Sequence, residues 1–203
     1  MKKEIDDIDG LILQAEDALQ AGDIARLIVL YERMALHGAV GAVARIGELY
    51  ETGYRHRSHT FEKNLDQAVE WYQKAILENN DPLAHLGLGR IYYEGSETLR
   101  KDMVKAGEHL RIAYENKLPQ AGIYLGAMSM FGTGVVKNVA DAEKFFLTAA
   151  TGGFPIAYRY LANMAASSGR FIRTIEMLIK EFIYTLKLKI QDRDHPNLWS
   201  LPK

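Results

Sequence analysis

The sequence predicts an all-α fold: a right-handed alpha–alpha superhelix, or solenoid, of about five helical hairpins. Three observations carry this. A twelve-residue block recurs four times. A second block with its own spacing follows the first three copies. Apolar residues recur at intervals of three and four, not two, and only 5 of 203 residues are proline.

The first block reads AVARIGELYETG from Ala42, AHLGLGRIYYEG from Ala84, AGIYLGAMSMFG from Ala121 and AYRYLANMAASS from Ala157. Its first place is always Ala. The fifth is Ile46, Leu88, Leu125 or Leu161, and the sixth is Gly47, Gly89, Gly126 or Ala162. The ninth is Tyr50, Tyr92, Ser129 or Ala165, and the twelfth is Gly53, Gly95, Gly132 or Ser168. The copies start 42, 37 and 36 residues apart, and the excess in the first is mostly the loop YRHRSHTFEKN. First, fifth, ninth and twelfth places share one helical face. A small sixth residue lets the next helix come close, and glycine at the twelfth tolerates the left-handed cap.

The second block reads AVEWYQKA from Ala68, AGEHLRIA from Ala106 and AEKFFLTA from Ala142, with a degenerate copy, IVLYERMA, from Ile28. Alanines at its first and eighth places flank a bulky pair such as Trp71–Tyr72 or Phe145–Phe146. Small residues then meet large ones across each contact, as dense cores require. Pro82, Pro119 and Pro155 sit where first helices begin, and a missing N–H is harmless there. A hairpin of this kind cannot bury its apolar face alone, whereas stacked copies can.

The predicted helices are 4–20, 23–37, 40–52, 65–79, 82–94, 102–115, 119–131, 138–151, 155–167 and 171–190. The whole chain, 1–203, reads as a single repeat domain. A capping hairpin covers 1–41, repeats cover 42–168, and a capping helix and tail cover 169–203. On the last helix Ile172, Ile175, Ile179, Phe182 and Leu186 form a stripe that Phe171, Leu178, Ile183 and Ile190 widen. One apolar face is expected to meet the fourth repeat. A stripe this wide leaves two alternatives: burial of the helix on both sides at the end of the solenoid, or a homodimer through helix 171–190.

The stretch LGAMSMFGTGVVKNVADAEKFFLTAATGG resembles the Sel-one-like repeat, a relative of the tetratricopeptide repeat. Leu125, Gly126, Gly132, Gly134, Val135, Asn138, Ala142, Phe145, Phe146, Ala149 and Gly152 match its pattern. The resemblance spans roughly residues 23 to 168. The first repeat departs from it by its long loop, and the fourth lacks both glycines. The resemblance implies a protein-binding scaffold.

Composition narrows the function. Net charge is −1 and there is no cysteine, so thiolate chemistry and Cys-ligated zinc are excluded, and a general grip on nucleic acid or anionic lipid is not expected. Lys2 and Lys3 are followed at once by Glu4, Asp6, Asp7 and Asp9, and Leu11–Leu13 is too short for a signal h-region, so a cytoplasmic location is expected. No window is apolar enough to span a membrane. His56 and His59 share the H-x-x-H spacing of some metal ligands, but Arg55 and Arg57 oppose a cation. GLGRIY lacks the third glycine of a dinucleotide motif and lies within a helix. Serine-hydrolase and metalloprotease motifs are absent. The basic residues Arg170, Arg173, Lys180, Lys187, Lys189 and Arg193 are interleaved with Glu176, Glu181, Asp192 and Asp194, which fits a solvated face. No catalytic residue, cofactor, metal, nucleic acid or membrane partner is expected.

A partner protein is expected in a concave groove lined by the third, seventh, tenth and eleventh places of the first helices, as in the tetratricopeptide fold. The candidates are Glu48, Glu51, Leu86, Arg90, Tyr93, Ile123, Met130, Phe131, Arg159 and Asn163, an apolar centre with a charged rim. The loop Tyr54, His56, Arg57 and His59 is a second candidate contact, since unusual loops on rigid scaffolds often bind. The functions weighed are an adaptor or regulator, a toxin-neutralising immunity-type inhibitor and, as the alternative, a hydrolase of unknown substrate.

Overall fold

The computed structural model describes residues 7–56, 59–96 and 98–191. Among them are ten helices and one two-stranded ribbon. In chain order these are α1 (Ile8–Ala21), α2 (Ile24–Leu36), α3 (Ala42–Thr52), β1 (Tyr54–His56), β2 (His59–Phe61), α4 (Leu65–Asn79), α5 (Pro82–Glu94), α6 (Met103–Glu115), α7 (Ala121–Phe131), α8 (Val139–Thr151), α9 (Ile156–Ser167) and α10 (Phe171–Gln191). The chain is all-α, built of successive helical hairpins. The contacts gather into two units, residues 1–91 with 96–99, and residues 92–95 with 100–203.

Each hairpin closes in the same way. The second helices start on Asn64, Asp102 and Asn138, whose side-chain oxygens accept from the backbone N–H of Gln67, Lys105, and Ala140 with Asp141. These caps satisfy donors that a helix start leaves without partners. The backbone N–H of the same three residues donates to the ninth-place carbonyls of Tyr50, Tyr92 and Ser129, at 2.7, 2.9 and 2.8 Å. Gly53 and Gly132 end α3 and α7 with φ of 67° and 74°, a conformation costly for other residues.

In the first unit the expected notch is filled by Tyr72. A Cβ on Gly47 would stand 2.7 Å from its ring, and one on Gly87 would stand 2.2 Å from it. The ring of α4 is therefore held between α3 and α5, one glycine on each side. Its hydroxyl donates to Glu51 Oε2 at 2.6 Å. Burial, reinforced by the negative charge of Glu51, raises the Tyr72 hydroxyl well above the ordinary tyrosine range. The same unit holds a core of Leu11, Ala15, Ala18, Ile24, Leu27, Leu30 and Met34 from α1 and α2.

The second unit repeats the notch. A Cβ on Gly126 would stand 2.7 Å from the ring of Phe146, which stacks on Tyr160 at 4.7 Å between centroids. The flanking alanines Ala106, Ala113, Ala142 and Ala149 are fully buried. Of each bulky pair in the second helices, the second member is the core residue: Tyr72, Leu110 or Phe146. Burying one such side chain stabilises the fold by about 1.5–3 kcal/mol.

Two expectations are corrected. The stretch YRHRSHTF is not a plain loop: Tyr54 pairs with Phe61, Arg55 with Thr60 and His56 with His59 in an antiparallel ribbon. Tyr54 and Phe61 hold the ribbon down. Tyr54 donates to the Leu19 carbonyl at 2.9 Å, and Phe61 meets Tyr50 at 5.0 Å. The second correction is α10. The helix does meet the fourth repeat, lying on α9 through Met177, Tyr184 and Leu188 with Tyr184 near Tyr158, but the predicted stripe is not the face that makes the contact and the helix is not buried on both sides. Arg159 pairs with Glu181 and Arg173 with Glu143 beside that contact. Phe171, Ile172, Ile175, Leu178, Ile179, Phe182, Ile183, Leu186 and Ile190 are left 45% to 87% exposed.

Two outcomes follow from the notch. Gly126→Leu overpacks the Phe146 contact and lowers stability by about 1–3 kcal/mol or more in chemical denaturation, and Gly87→Ala does so at Tyr72. An unchanged midpoint for both would remove the notch as the organising contact. The folded state also holds the Tyr72 proton more tightly than the unfolded chain, whose ordinary value is 10.0. The contribution of Tyr72 to stability is therefore constant below about pH 10 and is lost as pH rises above it. Tyr72→Phe should flatten that alkaline limb, measured as denaturation midpoint against pH.

Candidate functional site

The first helices carry the residues expected to meet a partner. In the first unit, Glu51 and Arg90 bind each other. Arg90 donates through Nε and Nη2 to the two oxygens of Glu51, at 3.0 and 2.6 Å, a bidentate pair of α3 with α5. With Tyr72 also on Glu51, this acid joins three helices, and the pair is more than four-fifths shielded from solvent. It is a brace rather than an open rim. Glu48 pairs with Arg45 at 2.7 Å on the more exposed side of α3. Leu86 is 3% exposed and belongs to the core. Nearby, buried Asp81 caps α5 at Leu83 through Oδ1. Its second oxygen has no hydrogen-bond partner among the described residues and faces Gly41 at the start of α3, where the helix field favours negative charge.

In the second unit, Ile123 is fully buried and also belongs to the core. Met130 and Tyr93 are half-buried, and Phe131 is 68% exposed at the end of α7. Tyr93 meets Tyr124 edge to face at 5.3 Å, and burial, followed by interaction with Tyr160, raises its hydroxyl above the ordinary value. Tyr93, Tyr124, Tyr160 and Phe146 thus form one aromatic cluster across α5, α7, α8 and α9. Arg159 and Asn163 are exposed on α9, and Arg159 reaches Glu181 of α10. The structure therefore keeps Tyr93, Met130, Phe131, Arg159 and Asn163 available within one unit.

The third place is where sequence and structure part. Ala44, Leu86 and Ile123 are buried there, and only Arg159 is open. The fourth place went unread: Gly87, Tyr124 and Tyr160 occupy it and contact Tyr72, Tyr93 and Phe146 respectively. Its signal was the alternation of a very small residue with tyrosine at one position of the repeat.

In the ribbon, Tyr54 is tied down, while Arg55 and Thr60 are exposed. Arg57 and the side chains of His56 and His59 lie outside the described residues. Among the described residues no three His, Asp or Glu side chains gather as a metal site would need, and no helix is long and apolar enough to cross a membrane. His109 stacks on Tyr92 at 5.8 Å, and burial, then Lys105, lowers its pKa.

Comparison with known proteins agrees with this architecture. Over 147 residues, 70% of this chain, it is 31% identical to chitin synthase regulatory factor 3 of Schizosaccharomyces pombe, covering 15% of that protein. It is 33% identical over 115 residues to the ERAD-associated E3 ubiquitin-protein ligase component HRD3B of Arabidopsis thaliana, 56% of this chain and 17% of the other. The chain thus spans less than a fifth of the length of either relative. A Sel1 repeat protein from Oxalobacter formigenes superposes with a TM-score of 0.68 at 19% identity, over 92% of this chain and 78% of that one. That likeness shows the fold, the helical-hairpin solenoid. The Sel1 repeat matches residues 41–80, 82–118 and 119–154, more than half of the sequence, and the chain belongs to the Sel1 repeat family.

Proposed function

We propose that this chain is a non-catalytic protein–protein interaction scaffold of the cytoplasm. It acts as an adaptor or regulator, or as an immunity-type inhibitor that neutralises a toxin. The partner protein lies along the first helices of the second unit. One observation carries the reading: among first-helix residues of the second unit, Phe131 is exposed, Met130 and Tyr93 are half-buried, and Arg159 and Asn163 are exposed. An apolar centre with a polar border is the anatomy of a protein interface, and Tyr and Arg are common energetic anchors. Membership of the Sel1 family supports it, as do relatives named as a regulatory factor and a ligase component. On the first unit, half-buried Glu48 and exposed Arg55 of the ribbon are separate contact candidates. A homodimer through α10 would present two such faces and raise apparent affinity for a multivalent partner.

Capture from native lysate followed by mass spectrometry identifies the partner, and titration calorimetry then measures it. Tyr93→Ala combined with Met130→Ala should leave the helical circular dichroism intact and weaken binding by about tenfold or more. Phe131→Ala should act in the same direction with less effect on stability. Unchanged affinity in both variants would remove this face as the binding site.

A further inference from the structure

Among the described residues, the outer face of α10 carries a long run of exposed apolar side chains. Ile172, Ile175, Ile179, Phe182 and Leu186 follow the 3-4-3-4 spacing of a coiled-coil seam, and each is at least 46% exposed. Five seam residues over a helix of 21 residues, about 32 Å long, give a straight, continuous stripe. The nine exposed apolar side chains of this face together present accessible surface on the order of the ~800 Å² that each partner of a stable interface contributes. At its N-terminal end the stripe runs into an open cleft of about 830 Å³, lined partly by Leu147, Phe171, Ile172 and Met177.

We infer that α10 pairs with α10 of a second copy of this chain, antiparallel, about a two-fold axis near Ile179. In that arrangement the centre and both ends of the stripe meet apolar residues of the other copy, while Phe182 lies beside Glu176 at the rim. Ile172 lies opposite Leu186 and Ile175 opposite Ile183, apolar against apolar at both ends. Two-fold pairing of this kind is isologous and closes at the dimer. A parallel alignment would set Lys180, Lys187 and Lys189 beside their own copies along one edge. The antiparallel alignment separates the two Lys189 side chains to opposite ends. It also brings Lys187 toward the half of the other helix that carries Glu176, and it opposes the helix dipoles. The charged edge of Arg173, Glu176, Lys180 and Lys187 stays in water beside the seam. The mixed sign of that edge and the net charge of −1 favour a protein surface over an anionic bilayer as the occupant.

This inference rests on the scaffold reading, yet its test involves no partner protein, so either can fail without the other. Light scattering of the full chain should give about twice the 22.9 kDa monomer mass at micromolar concentration. Ile175→Glu with Ile179→Glu, both at exposed positions, should return the monomer with unchanged circular dichroism. The dimer dissociation constant should rise at least about 100-fold. The chain has no cysteine, so single replacements report orientation. A mixture of Ile172→Cys and Leu186→Cys should form the mixed disulfide, and Ile172→Cys alone should not cross-link. A monomeric wild type overturns the inference, and so does efficient self-cross-linking of Ile172→Cys alone. A monomer that sediments with phosphatidylserine vesicles overturns it in favour of a membrane surface.

Discussion

A ring seated between two backbones is the constraint on which the rest of this structure depends. Tyr72 lies where Gly47 and Gly87 have no side chains, and either added Cβ would stand less than 3 Å from it. Phe146 meets Gly126 in the same way. Removing one methyl group from each helix brings the axes close enough for alanines on both sides to be fully buried. Close packing then supplies dispersion contacts that a looser pairing of leucines would not. The repeat length follows, since each hairpin must return one notch and one ring to the next.

The notch also decides which polar groups can work as a surface. Tyr72 carries a hydroxyl into the contact, and the hydroxyl needs an acceptor. Glu51 supplies it and is neutralised by Arg90, so a three-residue network ties α3, α4 and α5. Phe146 has no hydroxyl, and no such network is required of it. Tyr160 stacks on it instead, and the charged residue Arg159 turns outward. One repeat thus uses its Arg and Glu internally, while another leaves its Arg at the surface. Around Phe146 the places of Glu51 and Arg90 are taken by Met130 and Asn163, so no such brace can form there.

Much of this was legible beforehand. Small and large residues in fixed register predicted the hairpins, and helices α4, α5 and α7 end where the repeat implied. Caps such as Asn64, Asp102 and Asn138 lie next to their helices in sequence, so local chemistry set those boundaries. The exposed part of the candidate face, Phe131 and Asn163 among it, was also readable from helical geometry. Leu86 and Ile123 were not, because their burial depends on how near the neighbouring helices come. The ribbon at Tyr54–Phe61 was hidden for a similar reason. Its anchor is the Leu19 carbonyl, thirty-five residues away in the chain.

Periodicity, the glycine notches and the absence of cysteine were determined by the sequence alone, because each is a property of residue type and spacing. Which face of α10 turns inward was decided only by tertiary structure. Its apolar stripe is the more hydrophobic side, yet Met177, Tyr184 and Leu188 meet α9 instead. The ion pairs to Arg159 and Glu143 act at a distance of many residues, and a helical wheel contains no information about them.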